Sequence, residues 1–287
     1  MPVAPVGSAQ LAWERRGSGP PLLLIMGMGG TRNTWGEDFV SALARDFDVI
    51  TFDNRGVGES SRVRDPFTIR DLAADAAALL DLLLGDEPSH VLGISMGGMV
   101  AQELALSWPA QIRTLSLGCT YCGGPESLRT SPAVSMRLAR AMQSGDRERI
   151  VRVTWEVNVN STTAADPELW ARFRSLTLDR PVALPVIAAQ MQAIASHDTS
   201  PRLSTVSAPT LVIHGSADEM LPVHNAQVIA GLIRNARLEI LDGGGHLFFW
   251  EQPTRSAALL RDHALGTTGG AEPGSTGDQP AVTAETP

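Results

Sequence analysis

Short apolar runs alternate along this chain with stretches of helical periodicity, and that alternation constrains the fold more than any other feature. The runs fall at 21–26, 48–52, 90–94, 112–118, 209–214 and 237–241. Strands that alternate with helices predict an α/β architecture, a mostly parallel twisted sheet flanked by helices, because a parallel return needs a covering crossover. Residues 10–16 and 21–26 read as a hairpin turning at Gly17-Ser-Gly-Pro20.

Between the strands, Leu72, Ala76, Leu79, Leu80 and Leu83 recur at helical spacing, which predicts a helix over 68–84. Thr68 with Asp71 fits a capping box, whose side chains satisfy amides that the first turn leaves unpaired. Further helices are expected over 96–107, 225–233 and 253–264. From 121 to 207 the alternation stops. This span is helical in pattern and rich in arginine and methionine, and Asp166-Pro-Glu-Leu-Trp170 opens a helix with proline in its first turn. It reads as a helical lid inserted into one core, giving a first core part at 1–120, the lid at 121–207 and a second core part at 208–266. Residues 267–287 hold almost nothing apolar and read as a disordered tail.

The sharpest motif is Gly93-Ile-Ser95-Met-Gly97. It ends an apolar strand and opens a helical run, the context a nucleophile elbow requires. A serine hydroxyl needs a base to take its proton. Of six histidines, His246 has the fitting setting, a glycine loop directly after the last strand. His90 precedes its strand, His214 lies in or at the end of one, and His197, His224 and His263 fall in lid, loop or helix. The base in turn needs an acid to fix its tautomer. Asp218 follows the 209–214 strand and completes the order Ser, Asp, His; its neighbour Glu219 is the rival, and a turn cap is the alternative role for Asp218. An oxyanion would be met by the backbone N–H of Met96 and by a second donor in Met26-Gly-Met-Gly-Gly30, for which Met28 is the choice.

The composition closes off other classes. The net charge is −8 and the chain contains no lysine, so Schiff-base chemistry is unavailable and the basic footprint that nucleic acid demands is missing. Cys119 and Cys122 form a C-x-x-C, but after an apolar strand rather than at the head of a helix, and no second pair exists to build a zinc site. No apolar run reaches the roughly 18 residues of a membrane span. The first residues lack the pattern of a signal peptide. The expectation is a cytoplasmic protein that engages neither membrane nor nucleic acid.

The segments Thr51-Phe-Asp-Asn-Arg-Gly-Val-Gly-Glu-Ser60, Gly93-Ile-Ser-Met-Gly-Gly-Met-Val-Ala-Gln-Glu103 and Gly243-Gly-Gly-His-Leu-Phe-Phe-Trp-Glu251 resemble the α/β-hydrolase superfamily. Within it they are most similar to cofactor-free haloperoxidases, 3-oxoadipate enol-lactonases and aclacinomycin-type methylesterases. The resemblance spans residues 10–264. It implies a Ser95, Asp218, His246 triad, a helical lid, and no metal or organic cofactor. Many relatives begin the oxyanion loop with His-Gly where this chain has Met26-Gly27. Asp53 and Arg55 match a loop that supports the site structurally. Relatives that act on haloalkanes or epoxides carry aspartate at the elbow, which Ser95 excludes.

The expected reaction is hydrolysis of a small apolar carboxylic ester or lactone through an acyl-serine intermediate. Hydrolysis of a carbon–carbon bond in a diketone, a perhydrolase side activity, or ligand binding without turnover are the alternatives. Trp155, Trp170 and Met191, with Phe173, Met136 and Met142, are candidates to line the substrate pocket; lid core is their other possible fate.

Overall fold

A computed structural model describes residues 2–7, 9–63 and 65–266; the expected tail at 267–287 lies outside them. In chain order the elements are β1 (Val3–Val6), β2 (Ala9–Gly17), β3 (Pro21–Ile25), α1 (Glu37–Leu43), β4 (Asp48–Phe52), α2 (Ile69–Leu84), β5 (Ser89–Ile94), α3 (Met96–Ser107) and β6 (Ile112–Gly118). Five helices follow: α4 (Pro132–Gln143), α5 (Arg147–Asn158), α6 (Ser161–Ala165), α7 (Pro167–Asp179) and α8 (Leu184–Ala195). The sheet then resumes with β7 (Thr210–Gly215), α9 (His224–Leu232) and β8 (Arg237–Leu241), and α10 (Phe248–Glu251) and α11 (Pro253–Leu265) complete the described elements.

Among the described residues the sheet has eight strands in the order β1-β2-β4-β3-β5-β6-β7-β8. From β4 to β8 the neighbours run parallel, while β2 is antiparallel to both β1 and β4. This corrects the hairpin expected at Gly17–Pro20. The chain does turn there, but β4 enters between the two strands, pairing Trp13 with Phe52 on one edge and Leu22 with Val49 on the other. All five residues of β4 are buried, so its backbone needs partners on both sides. Gly17, at φ +91°, lies so close to 44–47 that a Cβ would sit 2.3 Å from the Phe47 carbonyl oxygen. The turn is therefore packed under the chain entering β4. β1, four residues long, pairs with β2 and gave no signal in the sequence.

Successive strand residues face opposite sides of the sheet, and each side has its own core. Leu23, Ile25, Val91 and Val212 pack with α2, α3 and α9; Leu22, Leu24, Leu92, Ile94, Leu211 and Ile213 pack with α1, α10 and α11. Helix α2 starts as its sequence indicates: Thr68 Oγ1 accepts from the Asp71 amide and Asp71 Oδ2 accepts from the Thr68 amide. No helix among the described residues is long and apolar enough to cross a membrane.

Candidate active site

Ser95 stands between β5 and α3 at φ +56° and ψ −121°, a conformation non-glycine residues rarely hold without support. That support is backbone contact. Gly97 lies so close beneath β3 that a Cβ would stand 1.9 Å from the Ile25 carbonyl oxygen. The Ser95 amide donates to Gly118 O across to β6. The Ser95 carbonyl accepts from the Gly98 amide and from Thr120 Oγ1. Met96 is the first residue of α3, where an amide has no acceptor one turn earlier in the helix.

Asp218 and His246 arrive from the neighbouring strands. Asp218 lies three residues after β7, and its side chain is fully buried. Its Oδ1 accepts from the amides of Met220 and Leu221. Its Oδ2 stands 2.7 Å from His246 Nδ1 and 3.0 Å from His214 Nε2. The carboxylate thus caps its turn and binds the imidazole at once. Burial works to raise its pKa, yet the charges and hydrogen bonds of the two imidazoles hold it well below the usual carboxylate range. The rival Glu219 is exposed and reaches Arg137 at 3.3 Å.

The His246 loop is gripped from the far side. Glu251 Oε2 accepts from the Gly245 amide and Oε1 from the Asn160 amide, the Leu247 amide donates to Asn158 O, and Asn160 Nδ2 donates to Gly243 O. Burial pushes the Glu251 carboxyl upward against those two bonds. Cys119, which follows β6, accepts space between the loops: its thiol points to Gly245 O at 3.8 Å. Ser95, Asp218 and His246 therefore gather at the carboxyl ends of β5, β7 and β8. Direct contact joins Asp218 to His246; the Ser95 amide bonds Gly118 O, and Cys119, next in the chain, points to Gly245 O beside His246.

The loop from Met26 to Gly30 turns beside the serine. A side chain at Gly27 would stand 3.1 Å from Ser95 Cβ. Asn54 Nδ2 donates to Met26 O, the Gly30 amide donates to Gly27 O, and the Gly29 amide donates to Gln190 Oε1 of α8. Asp53, fully buried, accepts from the Arg32 amide at 2.7 Å and the Glu59 amide at 3.0 Å, and Arg55 pairs with Asp75 at 2.6 Å. Asp53 and Arg55 are thus engaged with Arg32, Glu59 and Asp75.

The pocket candidates scatter. Trp155 is 0% exposed, its ring 4.8 Å from Phe173 and 5.8 Å from Trp250 in the core. Trp170 lies under the Arg152 guanidinium, and Met191, Met136 and Met142 are exposed, Met191 at 54%. What α8 presents to the Met26–Gly30 loop is Ile187 and Gln190 instead. Gln190 and Glu251 were not singled out in the sequence, which carries no mark for a polar side chain whose partner lies far along the chain, and His214 appears there only as a candidate base, less well set than His246. A surface cleft of about 360 Å³ is lined by Glu14, Arg16, Arg32, Glu37 and Arg172 and includes none of the three grouped residues.

Cys119, Asp218 and His246 hold donor atoms within 4.8 Å of one another, close enough for a metal ion. The donor set fits one poorly. Burial and the adjacent Asp218 raise the Cys119 thiol well above its ordinary value, which disfavours the thiolate a metal would need. Cys122 is likewise buried and free.

A family model described as the alpha/beta hydrolase fold matches residues 20–253. A relative named as a carbamate hydrolase, from Azorhizobium caulinodans, is 30% identical over 269 residues, 86% of this chain and 92% of its own. One named as a non-haem bromoperoxidase, from Mycobacterium tuberculosis, is 30% identical over 268 residues, 88% of this chain and 96% of its own. A solved structure of a thermophilic esterase from Thermogutta terrifontis superposes with a TM-score of 0.74 at 28% identity, covering 88% of this chain and 92% of that one.

Proposed function

The chain belongs to the α/β-hydrolase fold family, and from that premise we propose that it is a serine hydrolase of small carboxylic esters or lactones, with Ser95 as nucleophile. The observation that carries this reading is the 2.7 Å hydrogen bond from His246 Nδ1 to a buried Asp218, at the same end of the sheet as a serine held at positive φ. In the mechanism, Asp218 keeps the His246 proton on Nδ1 and leaves Nε2 free to take the Ser95 proton. Ser95 Oγ attacks the acyl carbon, and His246 returns the proton to the leaving alcohol. Water then repeats the sequence to release the acid. The developing oxyanion is met by the amide of Met96 and, from the loop, that of Met28. Two of the turn's other amides, Gly29 and Gly30, are committed to Gln190 and Gly27, which supports Met28 in that role.

In this reading α4 to α8 form the lid over the site, within the interval 121–207, and α8 borders the acyl pocket through Ile187 and Gln190. The likeness to an esterase structure favours an ester. A fluorophosphonate probe tests the chemistry without knowledge of the substrate. It is expected to modify Ser95 in the wild type and to leave Ser95→Ala unmodified. Acyl esters, lactones and carbamates assayed with the same two proteins then sort the substrate class. Equal labelling of wild type and Ser95→Ala would remove Ser95 as the nucleophile.

A further inference from the structure

Asp218 Oδ2 serves two imidazoles, and the mechanism above uses only one. The second belongs to His214, the fifth residue of β7 and 0% exposed. Its Nε2 lies 3.0 Å from Asp218 Oδ2 and 2.9 Å from the Leu221 carbonyl oxygen. Both neighbours accept, so Nε2 must carry the proton and share it between them. Its Nδ1 is buried with no hydrogen-bond partner. A proton on Nδ1 would be a buried donor without an acceptor, which costs free energy, so Nε2 is the nitrogen that donates.

The geometry points to His214 as a positioning residue for the proposed reaction: its Nε2–H holds the Asp218 carboxylate in the orientation that His246 needs and draws off part of the carboxylate's charge. The inference rests on the serine-hydrolase reading of the site. Four donors surround the carboxylate. The Met220 and Leu221 amides fix Oδ1, and the two imidazoles divide Oδ2. Rotation of the carboxylate about its Cβ–Cγ bond would break all four together. Because His214 also binds Leu221 O, it ties the turn from 218 to 221 back to β7, so one side chain sets both the position of Asp218 and the direction of its oxygens.

The electrostatic consequence has a definite sign. Each hydrogen bond a carboxylate accepts lowers its pull on other protons. With the His214 donor removed, Asp218 would attract the His246 proton more strongly and stabilise the imidazolium. The base would then become neutral only at higher pH. The other titratable groups set against Asp218 are the Cys119 thiol after β6 and the Glu251 carboxyl of α10, and both variants retain them.

Two variants separate this role from simple packing. His214→Leu removes the donor and keeps an apolar side chain of similar bulk. His214→Gln places an amide nitrogen the same number of bonds from Cβ and retains a donor. The rate of fluorophosphonate labelling is measured against pH for both and for wild type, and the titration of the His246 ring is followed by NMR. His214→Leu is expected to label roughly tenfold more slowly at its plateau, with the acidic limb moved up by about one pH unit, as the loss of one charge-assisted hydrogen bond implies. His214→Gln is expected to recover most of the rate and to return the limb toward its wild-type place. Unchanged labelling and an unchanged limb in His214→Leu would overturn the inference. So would an equal loss in both variants with lower melting temperatures, since that marks packing alone. If the wild type itself is not labelled, the hydrolase reading falls separately. The His246 titration then decides: an upward move in His214→Leu keeps the coupling, and no move removes it.

Discussion

The carboxylate of Asp218 shows how one residue acquires its role from its surroundings rather than from its type. Glu219 beside it has the same charge, but its longer side chain leaves the turn and meets Arg137 at the surface. Asp218 points inward, where two amides and two imidazoles meet it. An amide at 218 would present a donor to His246 Nδ1 on one rotamer and could not stabilise an imidazolium on either. Asp218→Asn is therefore expected to lower kcat roughly ten-thousandfold with little change in melting temperature, by analogy with the same change in the serine-protease triad. Glu219→Gln is expected to stay within about twofold, because its exposed ion pair contributes little. Steady-state rates at one pH, with thermal melts, check both; a crippled Glu219→Gln beside a near-normal Asp218→Asn would reverse the assignment. Asp218 and His246 were legible because glycine-rich turns after apolar strands announce where a loop must project. His214 was not, because a histidine inside a β run carries no sign of what faces it four residues later.

At the scale of elements, the five helices between β6 and β7 are held to the sheet by two kinds of contact of unequal worth. Trp155 of α5 packs at a tilt on Phe173 of α7 and meets Trp250 of α10 edge-on, all three buried. Arg172 of α7 meets Asp38 of α1 at 2.8 Å with both side chains well exposed. Burial of aromatic area far exceeds what a solvated ion pair supplies, so the two should separate clearly on mutation. Trp155→Ala is expected to cost about 3–5 kcal/mol, and Arg172→Ala about 1 kcal/mol or less. Urea unfolding of each variant checks this. Similar small losses would mean that the helices are anchored elsewhere. The same comparison explains which readings of the sequence failed at this scale. Periodicity located the helices, since it reports which face is buried, but it could not say whether Trp155 is buried by core or by substrate. The Gly17–Pro20 turn was equally local. It specifies that the chain reverses and is silent about β4, which takes its place between β2 and β3 only because five apolar residues need a partner on each edge.

At the scale of the whole molecule, buried imidazoles make the fold sensitive to mild acid. Burial, with Arg113 and His263 nearby, pushes His90 down from 6.5 to about 4, and burial pushes His197 to about 4 against the partial opposition of Asp198. His263 moves in the same direction. Both His90 and His197 lie far along the chain from His246, His90 bonded to Thr114 Oγ1 and His197 to Thr199 Oγ1. In the unfolded chain these rings take up protons as pH falls through 6.5; in the folded protein they resist until about 4. Between those values unfolding binds protons, so stability rises with pH and is lost on acidification. Carboxylates with depressed values act lower: Glu37, held near 2 by Arg16, contributes stability that is lost only as pH falls from 4.5 toward 2. The melting temperature should accordingly fall between about pH 6.5 and about pH 4, above the range in which Glu37 is lost. Activity alone cannot separate loss of chemistry from loss of fold. Calorimetry can. In Ser95→Ala, which removes the proposed nucleophile and leaves the buried histidines, the acid-induced fall in melting temperature should match wild type. In the double variant His90→Gln, His197→Gln, whose amides do not titrate, the curve should be flatter over that range even if the starting stability is lower. An equally steep fall in the double variant would place the acid sensitivity in other groups.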